Sequence, residues 1–269
     1  MKSGERVLLF AHPRSGSSNL YQIMRLHPAL EILEEPFNEN FVNWHPENKD
    51  YLGLVRDIES LDEQLAEIFT RFNGVKVLNY QLSDELVEHL LLRPDFRVVF
   101  VRRRNVLQAV VSNLIAEQTN LWKKWDMTRS LESYYDGLQP LDLDDVRARV
   151  EWLSWHMQMC ESILDKRADG RVLKIVYEDF YFAPRKEQAE YVEAVWRFLD
   201  LEPIPTADLE YYLRPELTKL NSPATYRFLP NAQEVNDLCG SDSHGWLFES
   251  DGLGDAGSLS RGKPGAPVR

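Results

Sequence analysis

Cysteine is scarce: Cys160 and Cys239 are the only two in 269 residues. Two thiols so far apart imply no disulfide framework, and no spacing along the chain has the pattern of a metal site. Long apolar runs are missing too. Nothing reaches the roughly eighteen residues of a membrane span, and no signal-peptide pattern opens the chain. Met1-Lys2-Ser3-Gly4-Glu5-Arg6 leads at once into an apolar stretch. The chain therefore reads as soluble and cytoplasmic, with no membrane span. Positive charge is also in deficit, with 31 Lys and Arg against 43 Asp and Glu and a formal net charge of −12. That argues against nonspecific binding to nucleic acid or anionic polysaccharide. Arg102-Arg103-Arg104 is a local basic cluster in this acidic background, better suited to a small polyanion than a long one. From Ser250 onward Gly, Ser, Asp and Pro dominate. Such a composition cannot bury a core, so 250–269 reads as a disordered tail behind one domain over 1–249. No internal repeat is present.

What is there is organised around Val7-Leu8-Leu9-Phe10-Ala11-His12-Pro13-Arg14-Ser15-Gly16-Ser17-Ser18. The apolar run Val7 to Ala11 reads as a buried parallel strand. A Ser-rich turn follows, and then Leu20, Ile23, Met24 and Leu26 fall at helical spacing. Strand, small-residue loop and helix form a geometry that cradles a phosphate on backbone N–H groups, with Arg14 adding charge. The kinase and ATPase loop G-x-x-x-x-G-K-[ST] is not here: there is no second Gly and no Lys before a Ser or Thr. An ordinary turn with Ser17 or Ser18 as N-cap is the plain alternative. A second strand-to-helix passage runs from Val98 to Ser112. It places Arg104 at the strand end and Ser112 two turns into the helix. Arg102 and Arg103 read there as solvated or ion-paired.

Further along, Leu30 to Leu33 reads as a short strand ended by Pro36, which extends the residue before it. A carboxylate at the C-terminal end of a parallel strand lies on the ligand side of the sheet. Glu35 is therefore a candidate general base. Phe41, Trp44, His45 and Tyr51 suit either a loop over an acceptor or a surface loop. Lys76, on the strand Val75 to Leu78, reads as a ligand-side group or as a sheet-edge residue. Helices are expected over 58–72, 84–92, 146–164 with Asp144 or Asp145 as its N-cap, 187–199, and before Gly240.

Pro13 to Ser18, together with Arg104-Asn105 followed eight residues on by Ser112, resemble the two signatures of the sulfotransferases that use 3′-phosphoadenosine-5′-phosphosulfate. The resemblance implies an α/β fold, P-loop-like, with a mostly parallel five-stranded sheet flanked by helices in a single domain. It implies that Arg14, Ser15, Gly16, Ser17 and Ser18 hold the 5′-phosphosulfate, with Arg14 also stabilising the leaving group. Arg104 and Ser112 would then hold the 3′-phosphate. Tyr177-Glu178-Asp179 after a strand is similar to a segment that sets Tyr177 beside the adenine, with Glu178 and Asp179 capping the turn. A C-terminal loop would supply a basic side chain, Lys219 or Arg227, although the Arg-Lys-Gly segment of the cytosolic branch is absent. That branch uses a His after the third strand. Here Asn79-Tyr80-Gln81 follow instead, and the similarity to the carbohydrate sulfotransferases, with their Glu-Pro or Glu-rich segment after the phosphosulfate loop, points to Glu35, with Glu34 or Glu39 as substitutes. Gln118-Thr119 with Trp122 resembles the bacterial carbohydrate branch of trehalose-glycolipid type, some of whose members are dimers. The function so implied is sulfuryl transfer, without a metal, to a hydroxyl of a carbohydrate, glycolipid or secondary metabolite. Its rivals are a P-loop small-molecule kinase and a non-catalytic nucleotide-binding protein.

Overall fold

The structure is a computed structural model that describes residues 5–38, 55–205, 209–214 and 218–249. The expected tail from Ser250 and the aromatic loop from Phe41 to Tyr51 lie outside the described residues. Strands β1 (Arg6–Ala11), β2 (Ile32–Glu34), β3 (Gly74–Leu78), β4 (Phe96–Arg102) and β5 (Val172–Val176) form one sheet in the order β2-β3-β1-β4-β5. All four pairings are parallel. β1 is central, so Val7 to Ala11 are fully buried. This is why its sequence is an unbroken apolar run rather than an alternation.

The helices are α1 (Ser17–Arg25), α2 (Ile58–Ile68), α3 (Asp84–Leu92), α4 (Val106–Thr119), α5 (Leu131–Tyr135), α6 (Leu143–Asp165), α7 (Tyr177–Tyr181), α8 (Arg185–Phe198), α9 (Leu209–Tyr212), α10 (Pro223–Tyr226) and α11 (Ala232–Cys239). Alternate residues of a strand face opposite sides. Leu8 and Phe10 accordingly pack with α2, α3 and the end of α6. Val7 and Leu9 pack with α1 and α8. A third cluster joins α4, α6, α10 and α11. Among the described residues no helix is long and apolar enough to cross a membrane.

Two local expectations shift. β2 begins at Ile32 rather than Leu30, because the Leu30 N–H closes a turn on the His27 carbonyl (3.0 Å). The N-cap of α6 is Asp142, whose carboxylate accepts from the N–H groups of Asp144 (2.8 Å) and Asp145 (3.1 Å). Asp144 and Asp145 fill the first turn, where negative charge favours the helix dipole.

Because every strand is parallel, all their C-terminal ends meet along one edge. From β1 the chain crosses to β2 at one edge, comes back to insert β3 between the two, and then adds β4 and β5 on the other side of β1. β1 therefore ends at the point where the strand order reverses, which is where open α/β sheets bind ligands.

Candidate active site

From Ala11 the chain turns through His12-Pro13-Arg14-Ser15-Gly16 into α1. Arg14 (φ 61) and Gly16 (φ 83) are both left-handed. At Gly16 a Cβ would stand 2.6 Å from the Tyr181 ring and 2.8 Å from the Tyr177 ring. The Tyr181 hydroxyl donates to the Gly16 carbonyl at 2.8 Å. Gly16 brings no side-chain cap to α1, so the first turn of the helix presents its N-terminus to the cleft above it. Ser17 and Ser18 line that cleft. Ser15 does not: its buried hydroxyl donates to the His12 carbonyl at 2.7 Å and tightens the turn.

The cleft holds about 120 Å³. Arg14 spans it, with Nε donating to Ser112 Oγ at 2.9 Å and a terminal nitrogen to the Trp122 carbonyl at 2.7 Å. Asn221 donates to the same Ser112 oxygen at 2.8 Å. Burial pulls the Arg14 pKa below the usual value, Tyr226 opposes this, and the nearby Arg103 adds to it. No carboxylate pairs with Arg14 among the described residues. Arg103, also buried, donates to the Arg14 carbonyl at 3.2 Å and to the Gln108 side-chain oxygen. Its guanidinium lies 4.6 Å from the centroid of the Tyr177 ring. The carboxylate of Glu178 stands off at 3.9 Å. Two adjacent guanidiniums, weakly answered by carboxylates, make a receptor for an anion.

Arg104, like Ser15, does not sit where the resemblance implies. Arg104 lines no part of the cleft. Its side chain is 53% exposed and grips Asp179 through two bonds of 2.6 and 3.0 Å. β4 ends at Arg102, paired with Val176, and the next residue is the one that turns inward beneath Tyr177. Glu178 and Asp179 do not cap their own turn, which has no side-chain cap; they bind the start of the neighbouring passage instead. Glu178 accepts from the N–H groups of Arg104 (2.9 Å) and Asn105 (3.0 Å) at the head of α4. Tyr177 does line the cleft, with its ring 4.8 Å from Tyr181 and 5.4 Å from Phe182. Lys219 lines it as well, 5.2 Å from the Phe182 ring. Arg227 is exposed and donates to the Ala224 carbonyl at 2.7 Å.

A larger cavity of about 990 Å³ adjoins the cleft. The two share Arg14, Ser17, Ser18, Trp122 and Lys123 as a common wall. Glu34 and Glu35 lie in the larger one. Beside them Lys76 Nζ is bound to Glu35 Oε1 (2.7 Å), Glu34 Oε1 (2.9 Å) and Ser18 Oγ (2.9 Å). Lys76 is fully buried. Burial disfavours its ammonium, but Glu35 and then Glu34 more than offset this and hold its pKa above the usual value. Glu35 sits at φ 54, a conformation that costs a non-glycine residue about 1–2 kcal/mol. Its other oxygen accepts from Asn38 (2.6 Å) and Gln81 (3.1 Å). Glu34 takes a second ammonium, Lys123, at 3.4 Å. Glu39, the remaining substitute for the base, lies outside the described residues.

Lys76→Met is expected to destabilise the protein by about 3–5 kcal/mol, because it strands two buried carboxylates. Denaturant unfolding measures this. An unchanged midpoint would mean that the ion cluster contributes nothing to folding.

Sequence reasoning missed Arg103, Lys123 and Asn221, and saw Lys76 only as one of two readings. Lys123 had a signal in its position beside Trp122. Asn221 had none, since it joins Ser112 from a segment more than a hundred residues away.

An all-parallel α/β sheet with an anion cradle at its switch point and two adjoining cavities defines a P-loop-like ligand-binding fold. The chain belongs to the sulfotransferase-domain family, whose model matches residues 4–231. Among solved structures it is similar to the sulfotransferase domain from the curacin biosynthetic pathway, at 15% identity and a TM-score of 0.50, covering 78% of each chain. It is also similar to mouse sulfotransferase SULT7A1 complexed with PAP, at 18% identity and a TM-score of 0.41, over 79% of this chain and 63% of that one. A third is the sulfotransferase domain of the Synechococcus PCC 7002 olefin synthase, at 16% identity and a TM-score of 0.37, over 83% of this chain and 82% of that one. The chain thus spans less than two thirds of the length of the mouse protein. At 15% identity the likeness to the curacin-pathway domain is one of fold. The curated proteins contain no match to it.

Proposed function

We propose that this protein transfers a sulfuryl group from 3′-phosphoadenosine-5′-phosphosulfate to a hydroxyl of a carbohydrate acceptor, free or as the head of a glycolipid. The reading rests on one observation above all. An arginine-lined cleft and a carboxylate-bearing cavity share a wall made of Arg14, Ser17, Ser18, Trp122 and Lys123. A donor in the first and an acceptor in the second would meet at that wall.

In this reading the 5′-phosphosulfate rests on the Gly16 loop, the head of α1 and Arg14. The 3′-phosphate is held by Arg103 and Ser112, and Tyr177 lies beside the adenine. The acceptor oxygen attacks sulfur, its proton passes to Glu35, and the S–O bond to the 5′-phosphate breaks. The electron pair leaves on the phosphate oxygen, where Arg14 meets the growing charge. Glu34 is the poorer base, since two ammonium groups, Lys76 and Lys123, hold it. The walls of the larger cavity support a sugar. Asn38, Asn79, Asn113, Glu117 and Arg149 offer hydrogen bonds, and Trp122 and Trp152 offer flat faces.

Labelled sulfate transfer from the donor to a panel of sugars and glycolipids tests the reading. A labelled sugar ester is expected. Transfer to no hydroxyl acceptor, with phosphorylation of the same panel from ATP, would overturn it.

The two arginines separate cleanly. Arg103→Ala is expected to weaken binding of adenosine 3′,5′-bisphosphate by roughly 10- to 100-fold, the loss of charge-assisted hydrogen bonds. Adenosine 5′-phosphate, which has no 3′ group, should bind Arg103→Ala almost as it binds the parent. Arg104→Ala removes only an exposed ion pair, a change of about 0–1 kcal/mol in stability, and should leave nucleotide affinity unchanged. Equal losses in the two variants would contradict the assignment of Arg103.

A further inference from the structure

We propose that His12, His156 and Cys160 form a zinc site that ties the end of β1 to α6. The three residues are brought together from distant parts of the chain and are all buried. Their ligand atoms all lie within 4.8 Å of one another. His12 Nε2 is 2.9 Å from His156 Nδ1, and Cys160 Sγ is 3.4 Å from that same nitrogen. Tetrahedral zinc, with bonds of roughly 2.0–2.3 Å, sets its ligand atoms roughly 3.3–3.8 Å apart. The two imidazoles need to part by roughly half an ångström to admit it.

The hydrogen bonding of the cluster favours an ion. His156 Nε2 is buried without a hydrogen bond, with Asp84 Oδ1 standing 3.3 Å away. Nδ1 has both His12 Nε2 (2.9 Å) and Cys160 Sγ (3.4 Å) beside it, and as a single donor or acceptor site it serves only one of them well. A cation takes the lone pairs of both rings together with a thiolate, and the thiol proton leaves to solvent. Asp84 against the far nitrogen of His156 matches the carboxylate that commonly orients a ligating histidine. The charges also balance: a dication, one thiolate and the Asp84 carboxylate sum to zero. Two nitrogens and one sulfur form a borderline-soft donor set that suits zinc, with a fourth position left over.

The setting assigns the site a structural role. His156 and Cys160 stand one turn apart on the buried side of α6. His12 follows β1 directly and precedes Pro13 and Arg14, and the Phe10 and Phe100 rings lie edge-on to it at 6.2 and 6.0 Å. An ion here would anchor the root of the loop that carries Arg14. None of the three residues lines either cavity, although Pro13 and Trp152, which adjoin His12 and His156, line the larger one.

The test uses the full chain, stripped with a chelator and titrated with cobalt(II). Wild-type protein should develop a thiolate-to-cobalt absorption band that saturates at one ion per chain and vanishes when zinc is added. Cys160→Ala should abolish the band. Cys239→Ala, which changes the other thiol, should keep it. Zinc should also raise the thermal midpoint of the stripped wild-type protein. Absence of the band in the wild-type protein, or its persistence in Cys160→Ala, overturns the proposal. The wild-type titration decides the matter even if a variant fails to fold. No arm of the test depends on sulfuryl transfer, so the site can stand or fall apart from the proposed activity.

Discussion

Glu35→Gln is expected to lower turnover by roughly 10²- to 10⁴-fold, the contribution of a positioned general base. The affinity for adenosine 3′,5′-bisphosphate should stay as it was. The split between the two readouts is what makes the result specific. Gln keeps the shape of the side chain and its one oxygen can still accept from Lys76, while the left-handed turn at Glu35 stays tied by the backbone bonds from Glu35 N–H to the Lys76 carbonyl and from Asn38 N–H to the Glu35 carbonyl. What goes is the charge that, in the proposed mechanism, would take up the acceptor proton. The nucleotide cleft does not include Glu35 among its walls, so binding there should not notice the change. Glu34→Gln is the matched control, expected to cost far less turnover. Its carboxylate is held by two ammonium groups, and its part is to balance charge around Lys76. Steady-state kinetics with product ester as the readout measures both. Full activity in Glu35→Gln, or a larger loss in Glu34→Gln, would move the base elsewhere.

Arg14→Ala should harm both steps. It stands on the wall common to the two cavities, where the bridging oxygen of the donor would gain charge. Removing a preorganised donor aimed at developing charge costs about 10²–10³ in turnover. Nucleotide binding should weaken too, by roughly tenfold or more, because a charge-assisted bond to the 5′-phosphate is lost. Part of the damage would be indirect, since Arg14 also bonds Ser112 and the Trp122 carbonyl. Arg14→Lys should restore binding better than turnover. A lysine returns the charge but not the fork that reaches both partners. Equal kinetics in Arg14→Ala and the parent would remove Arg14 from the site.

The central features of the fold were legible because they are written locally. Val7 to Ala11 and Val98 to Val101 are apolar runs that only a doubly covered strand accommodates, and each leads into a helical pattern. The Gly16 turn was legible as a cradle. What the sequence left open turned on single-residue rotations. Arg103 and Arg104 are identical in type, and whichever follows the last paired residue of β4 faces inward. Nothing in three consecutive arginines marks that place. The alternation around Lys76 suited a surface lysine as well as a buried one, and the choice was made by Glu34 and Glu35 arriving from β2. Asp142, Asp144 and Asp145 all suit an N-cap, and only the backbone decides among them. His12 and His156 lie 144 positions apart, beyond the reach of any spacing rule. The resemblance groups Ser15 with its neighbours on the anion, and only the fold shows its hydroxyl claimed by the carbonyl of His12.

The most direct test is a calorimetric titration of the full chain with adenosine 3′,5′-bisphosphate, set beside adenosine 5′-phosphate and ATP with magnesium. The account predicts tight, saturable binding of the bisphosphate, much weaker binding of the monophosphate, and no preference for ATP. A preference for ATP with magnesium, or no binding of the bisphosphate, would contradict it.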